Sequence, residues 1–455
     1  MKARAGALLA AAVLLAPMAI LETAGTAAPR RDVPWNSPGA GNPLLPGYFA
    51  DPSIVRDGGR WYIFATIDPW GDDRLGLWTS DNGRDWRFSQ PNWPTKQAAT
   101  SPTSGDAKVW APSVVKAANG RWYMYVSVGS EVWVGSAPSP AGPWADANGG
   151  KPLIARDFAP QYHMIDAEAF VDDDGQAYLY WGSGLNWTNG HCFVVKLKPD
   201  MVHFDGAPRD VTPANYFEGP FMVKEKGRYL LTYSDGNTTK DTYKVRYAVG
   251  SSPMGPFTEA ANSPVLQTDA ARQIISPGHH AIFADKGRSY ILYHRQALPF
   301  VMGSERVLRQ VAIDPLTVRA DGMLETVRPS HDPAIPAFAA KRDRGLRWTG
   351  KGADALAADD NYATAWRPDA GQPPVLTADL GGVREVRESR VRPAFVIEPQ
   401  DLRVEASLDG KSWREVAAEN GVSGSPITLR HPGKARFLRM TVQAKEPAIL
   451  EWSIF

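Results

Sequence analysis

Cysteine is nearly absent from this chain. Cys192 is the only thiol in 455 residues, which excludes an internal disulfide and leaves the fold to be held by its core. A surplus of charge is missing too: 50 Lys and Arg against 49 Asp and Glu leave a net charge of +1, so nothing steers the chain toward nucleic acid or a membrane. No long amphipathic helical pattern is visible. What is plentiful is glycine (41), proline (38) and aromatic side chains (16 Trp, 15 Tyr, 16 Phe), a mixture that suits short strands joined by many turns. The length asks for two domains.

Lys2 and Arg4, the apolar run Gly6 to Leu21 and the small residues Ala24 to Ala28 have the order of a secretory signal, so residues 1–28 are expected to be a signal peptide and the protein to be secreted, periplasmic or extracellular. The run is shorter than the roughly 20 residues a spanning helix needs, so no membrane anchor is expected.

A unit of turn, glycine and aromatic strand recurs five times: DGGRWYIFAT, ANGRWYMYVS, DDGQAYLYWG, EKGRYLLTYS and DKGRSYILYH. The turn glycines are Gly59, Gly120, Gly175, Gly227 and Gly287, spaced by 61, 55, 52 and 60 residues. That period suits a four-stranded propeller blade, whereas a two-layer sandwich predicts no such repeat. A second short strand precedes each unit and a third follows in most. The expected fold is all-β: a five-bladed β-propeller of four strands per blade over residues 40–335.

The first strand of a blade is innermost, so the residues that open these strands ring the channel at one mouth. Counting back eight or nine residues from each turn glycine gives Asp51, Ala111, Asp166, Glu218 and His279. Three carboxyls and an imidazole therefore converge. Acids held together raise one another's pKa, and a split of pKa values is what a general acid and a general base require at one pH. Glycoside hydrolysis uses such a pair. Trp70, Trp78, Trp93, Trp110, Tyr162, Trp187 and Tyr216 offer flat faces for sugar rings, with core packing the alternative for each. Trp110 is selected as a substrate-binding residue because it precedes the second inner strand.

The segments FADPSIVRD, VWAPSVVKA, MIDAEAFVDDDG, FEGPFMVKE and PGHHAIFAD, in this order, resemble the blade motifs of glycoside hydrolase family 43 across the whole propeller. The resemblance implies an inverting glycosidase in which Asp51 is the general base, Glu218 the general acid and Asp166 the acid that orients Glu218. It implies a separation of about 6.5–9.5 Å between Asp51 and Glu218, with room for a water. Arg295, in YHR, matches a residue that reaches the sugar. His279 matches an axial histidine that either ligates a metal or is hydrogen-bonded without one; no cofactor is required, an axial calcium ion beside it is allowed for, and a single histidine does not identify the cation. His280 is expected to pack against the next blade. Ala167 stands where the family commonly has proline. Asp172, Asp173 and Asp174 lack the spacing of a calcium loop and are expected to be solvated turn acids.

Residues 336–347, with the basic KRDRGLR, are expected to be a linker. ADDNYATAWRP, PPVLTADLGGVREV, LRVEASLDGKSWREV and ARFLRMTV in residues 348–455 resemble a discoidin-type (coagulation factor 5/8 type C) domain, a β-sandwich jelly roll. Alternation of Leu402, Val404 and Ala406 with Arg403, Glu405 and Ser407 independently indicates a half-buried strand. The domain either binds carbohydrate or braces the propeller.

The expected function is hydrolysis of plant cell-wall polysaccharide or its oligosaccharides, as an α-L-arabinofuranosidase or β-xylosidase, by a monomer. Galactan or arabinan cleavage and a non-catalytic sugar-binding propeller are the alternatives, the last disfavoured by the presence of all three acids. TSDNGRDW and SLDGKSW resemble the Asp-boxes of sialidases, but the second lies outside the propeller.

Overall fold

The structure is a computed structural model that describes residues 32–304, 306–333, 335, 338 and 345–455. The expected signal peptide and most of the expected linker lie outside the described residues. No helix among the described residues is long and apolar enough to cross a membrane.

Five antiparallel sheets follow one another along the chain. The first four blades have four strands each: Phe49–Asp57, Arg60–Ile67, Gly76–Ser80 and Arg87–Ser89; Val109–Lys116, Trp122–Val128, Val132–Ala137 and Ala145–Asp146; Glu168–Val171, Ala177–Trp181, Phe193–Leu197 and Arg209–Asp210; Glu218–Glu225, Arg228–Asp235, Lys244–Gly250 and Thr258–Glu259. The fifth has three, Gly278–Asp285, Arg288–Gln296 and Arg309–Leu316, not the four expected. Its outer side is taken by the segment before the first blade: Leu44 N–H donates to Val311 O (2.8 Å), and Asn42 bonds both Ile313 N–H (3.0 Å) and Ile313 O (2.8 Å). The chain thus ties its beginning to its last blade, and the ring is left without an open sheet edge on that side.

The repeated glycine has a backbone cause. Blades one, four and five turn their first hairpin in two residues, Gly58-Gly59, Lys226-Gly227 and Lys286-Gly287, with positive φ at both positions. This is the turn that matches strand twist, and glycine takes it at no steric cost. Blades two and three have longer turns, which is why the count back is nine there and eight in blades one and five.

Second strands read as unbroken apolar runs because both faces are buried. Trp61, Ile63 and Ala65 pack against Tyr290, Leu292 and Val311 of the fifth blade, while Tyr62 and Phe64 pack against Val114, Trp122 and Met124 of the second. An equivalent cluster fills each remaining gap between blades. Ion pairs tie the rim: Asp57 to Lys116 (3.7 Å), Asp172 to Lys224 (2.5 Å), and Asp285 to Arg56. Asp172 is therefore not the solvated turn acid expected. It is buried and also accepts from Tyr229 Oη (2.5 Å), because a neighbouring blade supplies a cation and a phenol.

The C-terminal region forms a five-stranded antiparallel sheet in the order Arg414–Val422, Gln400–Ser407, Ile427–Gln443, Val375–Pro393, Ile449–Ile454. Register shifts in the two long strands bend them around a core of Leu376, Val404, Leu429, Leu438 and Trp452. Trp366 is buried in that core, and Trp413 lies under Arg439 (4.5 Å).

This domain is docked on the propeller. Phe88 N–H donates to Ser425 O (2.8 Å), Arg392 Nη1 to Trp86 O (2.7 Å), Gln310 Nε2 to Tyr362 O (2.9 Å) and Gly39 N–H to Asp359 O (2.7 Å). Tyr48 and Leu308 pack on Phe395, Ala394 and Leu450. Cys192 is buried, so neither domain has a disulfide among the described residues.

Candidate active site

The inner strands open with a residue in the left-handed region: Asp51 (φ 51°), Ala111 (44°), Asp166 (58°), Gly219 (56°) and His279 (39°). For a residue with a Cβ this costs about 1–2 kcal/mol, so something must hold it. The holder is a side chain seven residues after the turn glycine of the preceding blade. Ala111 N–H donates to Thr66 Oγ1 (2.9 Å), Asp166 N–H to Ser127 Oγ (2.9 Å), His279 N–H to Ser234 Oγ (2.9 Å), and Asp51 N–H to His294 Nδ1 (3.3 Å). In the third blade that position is Gly182, which offers no side chain, and the blade after it places glycine, Gly219, in the strained position. Glu218 therefore sits one residue earlier in register than the glycine count implied, aligned with Trp110 and Ile165.

The displaced register still brings the acids together. Asp51, Asp166, Glu218, His279 and Trp110 line one cavity of about 320 Å³. Trp70 and Trp187 line it as well, while Trp78, Trp93 and Tyr216 are buried in the core and Tyr162 stacks on His191 (3.7 Å) outside it. Arg295 does not reach this cavity. It is 3% exposed and donates from Nη1 to Ser330 O (3.2 Å), because its place on the strand turns it toward the outer end of the blade. The guanidinium in the cavity is that of Arg309, on the next strand. His280 packs on the fourth blade through Thr232 Oγ1 (2.7 Å), the preceding blade and not the next one, because its side chain points to the face opposite the one expected.

The two sides of the cavity differ in charge. Asp51 accepts from Thr66 Oγ1 (2.7 Å), and its Oδ1 lies 3.3 Å from Arg309 Nη1, 3.1 Å from His294 Nδ1 and 3.3 Å from His279 Nδ1. Burial works against its charge, but Arg309, His279 and His294 outweigh burial and hold its carboxyl well below the ordinary carboxylate range. Arg309 is fixed by a bidentate pair with Asp68 (2.7 and 3.0 Å).

Among the described residues no Lys or Arg pairs with Glu218 at contact distance. Its Oε1 accepts from Tyr243 Oη (2.6 Å) and its Oε2 from Ser183 Oγ (3.0 Å). Burial pushes its carboxyl up to about 7 despite those two hydrogen bonds. Asp166 is raised further above its usual range by burial, by Glu218 and by Asp51, with the Gly219 N–H opposing. Asp166, Glu218 and His279 place polar atoms within 4.8 Å of one another, and Asp51 joins this trio through His279. Burial lowers the pKa of the His279 imidazole, with the Asp51 charge opposing.

That trio has the spacing of a cation site, but its donors do not suit calcium, which takes six to eight oxygens. One donor is an imidazole nitrogen, and both oxygens of Glu218 already accept from hydroxyls.

Sequence reasoning missed Arg309, Asp68, Tyr243, Ser183, His294 and the hydroxyl-bearing Thr66, Ser127 and Ser234. The last three and His294 carry a signal, a fixed offset of seven from the turn glycine. Arg309 and Tyr243 carry none, since Arg309 enters from a third strand and Tyr243 from the residue just before one, both outside the repeat register.

Carboxyls of unequal proton affinity in a tryptophan-walled cavity on a propeller axis define a hydrolase that cleaves glycosides by acid–base catalysis. A family model described as Glycosyl hydrolases family 43 matches residues 40–324, and one described as F5/8 type C domain matches residues 339–453. The chain belongs to glycosyl hydrolase family 43 and is a glycoside hydrolase. It is 32% identical over 298 residues to the beta-D-galactofuranosidase xynD of Aspergillus niger, covering 60% of this chain and 81% of that one. It is 31% identical over 336 residues to the arabinoxylan arabinofuranohydrolase of Bacillus subtilis, covering 64% of this chain and 65% of that one, just under two thirds of that relative's length. A solved glycoside hydrolase covers 93% of this chain and is itself wholly covered, with TM-score 0.76 and 27% identity.

Proposed function

We propose that the protein hydrolyses arabinofuranosyl or xylosyl linkages of plant cell-wall polysaccharide, with inversion, outside the cytoplasm. The observation that carries the mechanism is the opposite displacement of two carboxyls in one cavity. Glu218, kept protonated to about neutral pH by burial, gives its proton to the leaving oxygen. Asp51, ionised beside Arg309, takes a proton from the attacking water on the other face of the sugar. Asp166 touches neither proton directly; it stands beside Glu218 and orients it, its own carboxyl raised by burial, by Glu218 and by Asp51 against the Gly219 N–H. The beta-D-galactofuranosidase and the arabinoxylan arabinofuranohydrolase, with a xylosidase/arabinosidase of Bacteroides ovatus and a beta-xylosidase of Xylanibacter ruminicola that the chain also resembles, support a pentose or furanose in the cavity.

The test is a panel of nitrophenyl arabinofuranoside, xyloside and galactoside beside arabinan, arabinoxylan and galactan, with NMR of the first-formed anomer. Release of arabinose or xylose as the inverted anomer is expected. Activity on none of these, or the retained anomer, contradicts the proposal. Secretion is tested by fractionating cells that express the full chain: residues 1–28 should be missing from the exported protein.

A further inference from the structure

The loop after the second strand of blade three, residues 184–190, is built into the cavity wall. A Cβ on Gly184 falls 1.8 Å from Thr188 O, and one on Gly190 falls 2.3 Å from Phe217 O, so only glycine lets the loop fold this tightly and press on the segment that carries Glu218. Between them Thr188 N–H and Oγ1 both donate to Leu185 O (3.1 and 3.0 Å). Trp187 is held in the left-handed region (φ 62°), a conformation rare for a bulky residue and found where the surroundings over-determine it. Its ring stacks on Phe217 (5.6 Å, 27°), is 37% exposed, and lines the cavity.

Across from it stands Trp70, also in the left-handed region (φ 55°), lying against the guanidinium of Arg309 (5.0 Å). The two indoles meet at 6.4 Å. One is fixed to the acid's side of the cavity and the other to the base's side, and their rings come together between those sides. A polymer threading the site needs two openings; a chain end or branch needs one.

We propose that Trp187, closing on Trp70, is a specificity-determining residue that shapes the cavity around one sugar ring, so that the enzyme releases single sugars from chain ends or branches. This rests on the glycosidase reading above. The ligand class is a terminal pentose or furanose residue whose apolar face packs on the Trp187 ring.

The experiment compares wild type, Trp187→Ala, Trp187→Phe and Glu218→Gln on a nitrophenyl arabinofuranoside and on linear arabino-oligosaccharides, with products separated by size at early times. Wild type should give monosaccharide only. Trp187→Ala should raise KM for the nitrophenyl glycoside roughly tenfold, the loss of one ring contact, with kcat within about threefold. It should also yield disaccharide and trisaccharide from internal cleavage. Trp187→Phe should keep the monosaccharide pattern. Oligosaccharide products from wild type, or an unchanged KM and product pattern in an active Trp187→Ala, overturn this inference alone. A wild type inert on every substrate, or a Glu218→Gln that keeps full activity, overturns the glycosidase reading as a separate result, and an inert wild type takes this inference with it.

Discussion

Asp51 and Glu218 occupy the same cavity at the ends of equivalent strands, yet they are displaced in opposite directions. Both are desolvated, so burial alone would protonate both. The difference lies in their partners. Asp51 faces one guanidinium and two imidazoles, whereas Glu218 faces two hydroxyls and a second acid. A hydroxyl lowers a carboxyl's pKa less than a full charge does, so the acid side stays protonated where the base side ionises. Catalytic division of labour here is a matter of which strand brings a cation, and among the described residues it is the fifth blade that brings one to this mouth.

Removing either member breaks the comparison outright. Glu218→Gln should lower kcat on an unactivated oligosaccharide about 10³-fold, and Asp51→Asn should do the same, as expected for loss of a general acid or base. Azide, or a leaving group that needs no proton, should rescue only one of the two. Steady-state kinetics on both substrate types read this.

Arg309→Lys tests what sets the base. Lysine cannot reproduce the bidentate pair with Asp68 while also reaching Asp51. The acid limb of the kcat/KM profile should move to higher pH, with a loss of roughly 10–100-fold at neutral pH, and a weaker limb shift than activity loss would point to misplaced Asp68 instead.

Tyr243→Phe sharpens the other side. The hydrogen bond from Tyr243 lowers the pKa of Glu218, so its loss should carry the alkaline limb to higher pH with the acid limb unmoved. An alkaline limb that moves down contradicts the assignment.

Glu168 gives the smallest effect. It lies two residues along from Asp166, with no cation to help it, and burial raises its carboxyl to about 8 against a hydrogen bond from Ser113. A folded pKa above the unfolded value contributes stability below the unfolded pKa, and that stability drains away as pH rises toward about 8. Glu168→Gln should therefore melt higher than wild type near pH 8 and show little gain near pH 5.

Much of this architecture was legible because it repeats. Five turn glycines fixed the blade count and put Asp51, Asp166, Glu218 and His279 at one mouth, since a blade's register is a local property of its first hairpin. Arg295 misled because resemblance matched a short motif, while the side chain's direction depends on the strand's alternation and on Arg309 beyond it. The fifth blade's missing strand escaped because its replacement, the Asn42 to Leu44 segment, is irregular and distant in sequence. The two Asp-box resemblances have a plain explanation. In both, a serine accepts from two turn N–H groups and the following Asn or Asp from two more, at Ser80 and Asn82 and again at Ser407 and Asp409. They are turn chemistry in two unrelated domains, not a trace of sialidase function.

The contrast between the two carboxyls is tested most directly by the pH dependence of kcat/KM for a good arabinofuranoside or xyloside substrate. A bell should appear whose alkaline limb titrates near 7 and whose acid limb lies well below the ordinary carboxylate range. A rate that is flat from mildly acidic to alkaline pH, or an alkaline limb unmoved by Tyr243→Phe, would contradict it.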